Sequence, residues 1–553
     1  MSILHSYLKN NKHQFVSFGK SILFVLLSLL ILQSCKQAEL PTDLAIQSII
    51  PKPVSVVASG KRFSLTSNAK IFVGSPELMG IGNYLSTEFN KMTSLSLVTE
   101  PTSEAPGNGN IYLVLGNADA KVGAEGYELE ITEEMITVKA NEPAGLYMGV
   151  QTIIQLIPNV KAKSQNDSYG IPTGTIIDYP TYAWRGSMLD VARHFFSVED
   201  VKRYIDLISY YKMNILHLHL SDDQGWRIEI KSWPNLALHG GKTQVGGGTG
   251  GYYTQEQYKD IVAYAASKYI TIVPEIDLPG HINSALASYG ELNGGIKFPI
   301  EGGYNSPTKT TEVLGGKNKP TQLYTGIEVG WSTLYFDKPE TFKFVNDVIR
   351  ELSEITPGPY VHIGGDEAHA TKKEDYIKFI NRFTEIVKAN GKKMIGWEEI
   401  AQANIDGNAI AQHWDKPTYA QMAADKGAQI IMSPSKRVYI DMQYDSTSKL
   451  GLHWAAYIEV DDAYNWDPAT QVEGISREQI LGVETPLWSE TISTMDDIEY
   501  LLFPRMPGIA EIAWSPAEGR TWEEYKVRLG NHAPFMRTRG IDFYPSARVN
   551  WAK

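Results

Sequence analysis

At 553 residues, with 43% hydrophobic and 21% charged side chains, the chain is long enough for two or three domains and a large core. A formal net charge of −12, with no basic run beyond the N-terminus, argues against a partner bound through its phosphates, because that binding rests on clustered Lys and Arg. Nucleic acid is therefore not an expected partner.

In chain order, the first element is an export signal. Lys9, Lys12 and Lys20 precede the apolar run SILFVLLSLLIL at 21–32, which is short for a bilayer span but suits the core of a signal segment. The run leads into LQSC, and Cys35 is the only cysteine in the chain. This ending resembles a bacterial lipobox. It implies that residues 1–35 are a signal segment, that Cys35 is lipidated, and that the protein is exported to the periplasm, the outer membrane or the cell surface. Membrane contact would be through this anchor alone. A single cysteine allows no intramolecular disulfide, so packing must hold the fold.

Residues 36–178 hold the β-rich pieces KIFVG, NIYLVLG and YELEITEEMITVKA, then the amphipathic AGLYMGVQTIIQLI and the polar NVKAKSQNDSYG. This pattern predicts a small α/β domain, a sheet with helices on one face. All 12 tryptophans lie at or after position 184, and no histidine falls between 14 and 193. The domain is thus poor in side chains for recognition and proton transfer, and its expected role is support.

Residues 179–553 alternate strand-like and helix-like segments. The strand candidates are GSMLDVA, NILHLHL, YITIVPEI, YVHIGG, KKMIGW, AIAQHW, AQIIMSP and QILGVET. Eight such strands with helices between them predict a (β/α)8 TIM barrel. Two insertions, near 239–253 and 290–336, are expected to form loops over its mouth. The glycine-rich VGGGTGGYY of the first reads either as a mobile loop at the site mouth or as a plain linker.

Each strand ends in chemistry: Arg193; Asp222 and Asp223; Glu275 and Asp277; Asp366 and Glu367; Trp397 and Glu398; Trp414; Tyr439 and Asp441; Trp488 and Glu490. Barrel active sites form at the C-terminal ends of the strands. Indole rings stack on sugar faces while carboxylates and Arg bind hydroxyls, so this set points to carbohydrate. Glycosidic cleavage needs a carboxylic acid of raised pKa, and Glu367, beside the anionic Asp366, suits that role. Their adjacency in GGDEAH carries a further implication. Paired glycosidase carboxylates flank the anomeric carbon about 5 to 9 Å apart, whereas sequence neighbours approach from one side. Asp366 is then badly placed as a nucleophile, and the substrate's own 2-acetamido oxygen becomes a candidate.

HLHLSDDQGWRIEI, PEIDLPGH, HIGGDEAH, GWEE and ETPLWSE, in this order and spacing, resemble the glycoside hydrolase family 20 β-N-acetylhexosaminidases. The similarity runs from WRGSMLDVARHFF to FPRMPGIAEIAWSP, and EGYELEI with AGLYMGVQTIIQL resembles the small domain before the barrel in that family. The resemblance implies a retaining exo-enzyme that releases terminal non-reducing GlcNAc, with GalNAc as a second candidate, through an oxazolinium intermediate. Glu367 would be the general acid/base, Asp366 the residue orienting the acetamido group, and Tyr439 a donor to its oxygen. Trp397, Trp414 and Trp488 would enclose the N-acetyl group and ring. Arg193 would clamp O3 and O4, with Asp441 and Glu490 on the O4 and O6 side. Asp222 and His281 would support the acid, and Trp454 would form a further subsite. No metal or organic cofactor is implied.

Two other readings stand beside this one. The chain could be a non-catalytic surface glycan-binding lipoprotein that keeps a barrel as scaffold. Alternatively His217 and His219, an H-x-H on a barrel strand, could hold a divalent ion in a metal-dependent hydrolase, although later strands offer tryptophans where that class needs Lys or His. Glu275 and Asp277 read as supports, His362 and His369 as either supports or structural residues, and Trp233, Trp514 and Trp522 as core.

Overall fold

The computed structural model describes residues 43–158, 167–303, 306–313 and 316–553, with the backbone alone between 298 and 313. The expected signal segment, residues 1–35 with Cys35, lies outside the described residues.

The first sheet contains β1 (Ser55–Leu65), β2 (Lys70–Val73), β3 (Val98–Pro101), β4 (Asn110–Leu115), β5 (Tyr127–Ile131), β6 (Met135–Ala140) and β7 (Tyr169–Asp178). Their order is β1-β7-β5-β6-β4-β2-β3, antiparallel from β1 to β6 and parallel from β6 onward. In β5 the alternation YELEI buries Tyr127, Leu129 and Ile131 on one face. Helices Met79–Thr93 and Pro143–Leu156 pack together over the sheet. The second is buried along most of its length because its far side meets the barrel, where Tyr147 Oη donates to Ser209 Oγ at 3.4 Å.

At the junction, the buried Asp178 carboxylate accepts from Tyr127 Oη (2.8 Å), Trp514 Nε1 (2.9 Å) and Lys212 Nζ (2.8 Å). A buried ion pair needs such extra donors to offset desolvation, and here one carboxylate ties the sheet to the barrel.

The barrel is built of β8 (Trp184–Asp190), β9 (Ile215–His219) and β10 (Thr271–Glu275); after the hairpin β11 (Lys297–Gly303) and β12 (Ser306–Val313) come β13 (Tyr360–His362), β14 (Lys393–Trp397), β15 (Ile410–His413), β16 (Gln429–Met432) and β17 (Ile480–Leu487). The eight barrel strands are parallel and close where β17 pairs with β8. Each predicted strand is present, its ends moved by a few residues. They read as near-continuous apolar runs because helices cover the outside and side chains fill the inside. Trp184, Ile215, Val273, Ile395, Ile410 and Ile431 form a separate apolar cluster inside the barrel. His219, Glu275, His362, Trp397 and His413 are the last residues of their strands, so polarity gathers at the C-terminal end.

The glycine-rich loop departs from expectation. The buried Arg227 guanidinium donates to the carbonyls of Gly241 (3.2 Å), Thr243 (2.8 Å) and Gly251 (3.1 Å), pinning the loop to the barrel wall. It supplies no residue to the cavity at the strand ends; the second insertion does, through Ile327, Glu328 and Val329.

Candidate active site

The stretch after β13 owes its shape to two glycines. Gly364 (φ +66°) and Gly365 (φ +98°) occupy the left-handed region, and a Cβ on Gly364 would lie 1.8 Å from Asp277 Oδ1. Asp277 Oδ1 instead accepts the Gly365 N–H at 2.9 Å, and Gly365 O accepts from Tyr376 Oη at 2.7 Å. Glu367 itself sits at φ +42° and His281 at φ +50°, conformations that side-chain-bearing residues seldom adopt. Strain is stored where the acid and its imidazole meet.

The chain turns its strand ends into a cavity of about 350 Å³. Of the expected site residues, Arg193, Asp366, Glu367, Trp414, Tyr439, Asp441, Trp454, Trp488 and Glu490 line it. Trp414 and Tyr439 lie face to face with centroids 6.5 Å apart, and Trp454 meets both edge-on at 6.0 Å. Trp454 is 42% exposed, which puts it at the rim. Trp397 does not line the cavity. It is buried against Trp488, ring centroids 5.8 Å apart, with its Nε1 donating to Glu275 at 2.9 Å.

Two residues not singled out in the sequence hold this wall in place. Asp190 accepts the N–H groups of Ala192 (2.8 Å), Arg193 (3.1 Å) and Ser489 (3.0 Å), fixing the loops that carry Arg193 and Trp488. Glu399 accepts from Trp414 Nε1 at 3.2 Å, while Glu398 accepts from His413 Nδ1 (2.5 Å) and Trp414 N (3.1 Å) and anchors that loop. The doubled acid of GWEE was the only visible signal for Glu399.

The supporting pair is assembled as expected in position. Asp222 receives Arg193 Nη2 at 2.8 Å and His281 Nδ1 at 3.2 Å. His281 Nε2 has no partner in hydrogen-bond geometry and stands 3.5 Å from Glu367 Oε2 and 3.7 Å from Asp366 Oδ2. Burial disfavours its charge, but the facing Asp222 and Asp277 outweigh that and hold the imidazole well above its ordinary range.

This geometry corrects the expected proton placement. Burial raises Glu367, yet the close approach and charge of His281, helped by His369 and Arg193, more than reverse it, leaving Glu367 below the usual carboxylate value in the free site. Asp366 is the raised member, pushed up mainly by burial, with the Glu367 charge adding to it and His281 opposing. The sequence shows the like-charged neighbour but not the imidazole that chain folding brings beside it.

On the opposite wall, burial and the Glu490 charge hold Asp441 well above its ordinary value, and burial raises Glu490 to about 6. Asp366 Oδ1, both Asp441 oxygens, Glu490 Oε2 and Arg193 Nε are buried without a partner among the described residues. An unpaired buried polar group costs about 1–3 kcal/mol, so such a set is fitted to a ligand rich in hydroxyl and amide groups.

The histidines behind the site are committed to carboxylates. His217 faces Glu484 (Nδ1, 2.8 Å) and Glu275 (Nε2, 2.9 Å); His219 faces Glu275 (Nδ1, 2.6 Å) and Asp222 (Nε2, 2.8 Å). His217, Glu275 and His362 bring ligand-type atoms within 4.8 Å of one another. Burial notwithstanding, Glu275 and Glu484 raise His217 to about 9, and a protonated imidazole is no metal ligand. His219 is likewise raised.

A parallel barrel whose strand ends present an adjacent Asp-Glu pair, an indole-lined cavity and unpaired hydroxyl-binding groups defines a glycoside-cleaving enzyme. Residues 182–517 match the glycosyl hydrolase family 20 catalytic domain, and residues 47–179 match domain 2 of that family. The chain belongs to glycosyl hydrolase family 20. It is 37% identical over 509 residues to a β-N-acetylhexosaminidase of Cellulomonas fimi, covering 91% of this chain and 97% of that one. Among solved structures it is similar to the family 20 β-N-acetylhexosaminidase of Streptomyces coelicolor A3(2), with TM-score 0.85 and 43% identity over 93% of this chain and all of that one. A mutant β-hexosaminidase of Streptomyces plicatus in complex with product GlcNAc matches with TM-score 0.84 and 43% identity, over 93% of this chain and 100% of that chain.

Proposed function

We propose that the protein is an exported, retaining exo-β-N-acetylhexosaminidase that removes terminal non-reducing GlcNAc, with GalNAc as a second candidate, using the substrate's own acetamido oxygen as nucleophile. The observation that carries this reading is the approach of Asp366 and Glu367 to one atom, His281 Nε2. Two carboxylates on one side of a sugar do not form the opposed pair that flanks an anomeric carbon in other glycosidases.

In the free site the proton closest to the acid is held by His281. A sugar ring displacing water from Glu367 adds to the burial that already opposes its charge and draws the proton onto Oε2. Glu367 then protonates the leaving oxygen while the acetamido oxygen closes on C1. Asp366 accepts from the acetamido N–H and balances the positive charge of the oxazolinium, and Tyr439 donates to the acetamido oxygen. Water deprotonated by Glu367 opens the ring and returns the β-anomer. Arg193 holds O3 and O4, Asp441 and Glu490 serve the O4 and O6 side, and Trp414 and Trp488 enclose the ring with Trp397 behind. The product complex of the Streptomyces plicatus relative supports GlcNAc as the bound sugar.

Lipidation of Cys35 and surface anchoring belong to the same proposal; mass spectrometry of the mature N-terminus tests them, and an unmodified Cys35 would overturn them. For the reaction, NMR of products from an aryl β-N-acetylglucosaminide is expected to show β-GlcNAc forming first. An α-anomer first, or no turnover, would contradict it.

A further inference from the structure

The barrel interior carries a row of groups longer than the acid and its supporting pair. From the cavity inward, His281 Nε2 faces Glu367 at 3.5 Å and His281 Nδ1 faces Asp222 at 3.2 Å. Asp222 then meets His219 at 2.8 Å, His219 meets Glu275 at 2.6 Å, Glu275 meets His217 at 2.9 Å, and His217 meets Glu484 at 2.8 Å. Carboxylate and imidazole alternate at every step, and every member behind Glu367 is buried. The far end is held by Trp184 Nε1 (2.8 Å) and Gln412 Nε2 (2.9 Å), both donating to Glu484.

We propose that Glu484, His217, Glu275 and His219 are positioning residues for catalysis: their fixed alternating charges set how firmly Asp222 holds the His281 proton, and so the pH at which Glu367 gains or loses its own. This rests on the reading of Glu367 as the acid.

Arg193 lies 2.8 Å from Asp222 and 3.2 Å from His219 Nε2, so Asp222 is shared among three cations, Arg193, His219 and His281. His362 faces Glu275 at 3.0 Å but burial keeps it neutral, and Trp397 Nε1 donates to the same carboxylate. Asp223, Asp277, Asp366 and Glu367 are the further titratable groups facing His281, Asp223 also lying beside Asp222, and His369 acts on Glu367. Asp222, Glu275 and Glu484 are held low by their cationic partners against the pull of burial, while His217 and His219 are held high. Buried charges this numerous are costly unless each is paired, and an apolar barrel filling would be the simpler structural solution. The row's continuity to the acid gives it a use that packing does not.

The test reads the basic limb of the kcat/KM profile against pH, with an aryl β-N-acetylglucosaminide as substrate. His217→Gln removes a cation, raises proton affinity along the row and moves the limb up, by on the order of half a pH unit for one charge felt across the barrel. Glu484→Gln removes an anion and moves it down, by less, because His217 then sheds part of its charge. The double variant removes a neutral pair and returns the limb toward wild type. Ring NMR of 15N-histidine-labelled protein should show His281 titrating with the same signs, without any turnover. Structural damage alone lowers Tm without opposite displacements. Limbs that stay in place, or that move the same way in both single variants, overturn the proposal. A wild-type protein without turnover whose His281 still shifts would unseat the acid assignment and leave the row intact.

Discussion

Glu367 Oε2 stands 3.5 Å from His281 Nε2, and this contact makes Glu367 the more easily ionised of the two adjacent carboxylates in the free site. Burial alone would have pushed Glu367 up; the imidazole pulls it down, while burial leaves Asp366 raised. In the proposed mechanism, substrate binding returns the proton to Glu367.

Replacing Glu367 by Gln keeps shape and removes the transferable proton. Turnover of a GlcNAc disaccharide, whose leaving group needs protonation, should fall by about 10²–10⁴-fold, and an activated aryl glycoside should lose less. Equal losses on the two substrates would argue against the acid role.

Asp441 is buried and Glu490 half-buried with its Oε2 enclosed; the two are close enough to repel and unpaired on the ligand side. Asp441→Asn relieves that repulsion, so Tm should rise by about 1–2 °C while KM rises roughly 10–100-fold from the lost hydroxyl contact. A KM unchanged within error would remove Asp441 from the sugar site.

Gly364→Ala puts a methyl group on Asp277 at a backbone angle of +66°. The expected cost is about 3 kcal/mol or more, with the GGDEAH turn displaced and activity lost. Full activity and unchanged Tm would show that the turn is not what aims the two carboxylates.

His217 is raised to about 9 by its two carboxylates, although burial alone would lower it. A group whose folded pKa lies above its unfolded value stabilises fully below the unfolded pKa, near 6.5, and loses that stabilisation as pH climbs through 9. Thermal melts should show Tm falling over this window, and His217→Gln should flatten that fall. An identical slope in the variant would mean that His217 is neutral in the folded protein.

The barrel was legible in the sequence because buried parallel strands leave a plain mark: short apolar runs such as NILHLHL and AQIIMSP, each ending in polar residues. The strand Tyr169–Asp178 and the paired strands Lys297–Gly303 and Ser306–Val313 were not read, since YGIPTGTIID, broken by glycine and proline, and the polar SPTKTTEV lack that mark. At the site, residue types and strand-end positions brought out the cavity lining. What stayed hidden were partnerships across the barrel. Glu484 meets His217, Arg227 pins the glycine loop, and Trp397 retreats behind Trp488; none of these distances is encoded locally.

The central claim is that the substrate supplies its own nucleophile. Its most direct test is the ratio of kcat/KM for an aryl β-N-acetylglucosaminide to that for the matching aryl β-glucoside, which lacks only the acetamido group. Intramolecular attack is worth several powers of ten, so the ratio should be at least about 10³. Comparable rates on the two glycosides would contradict the account.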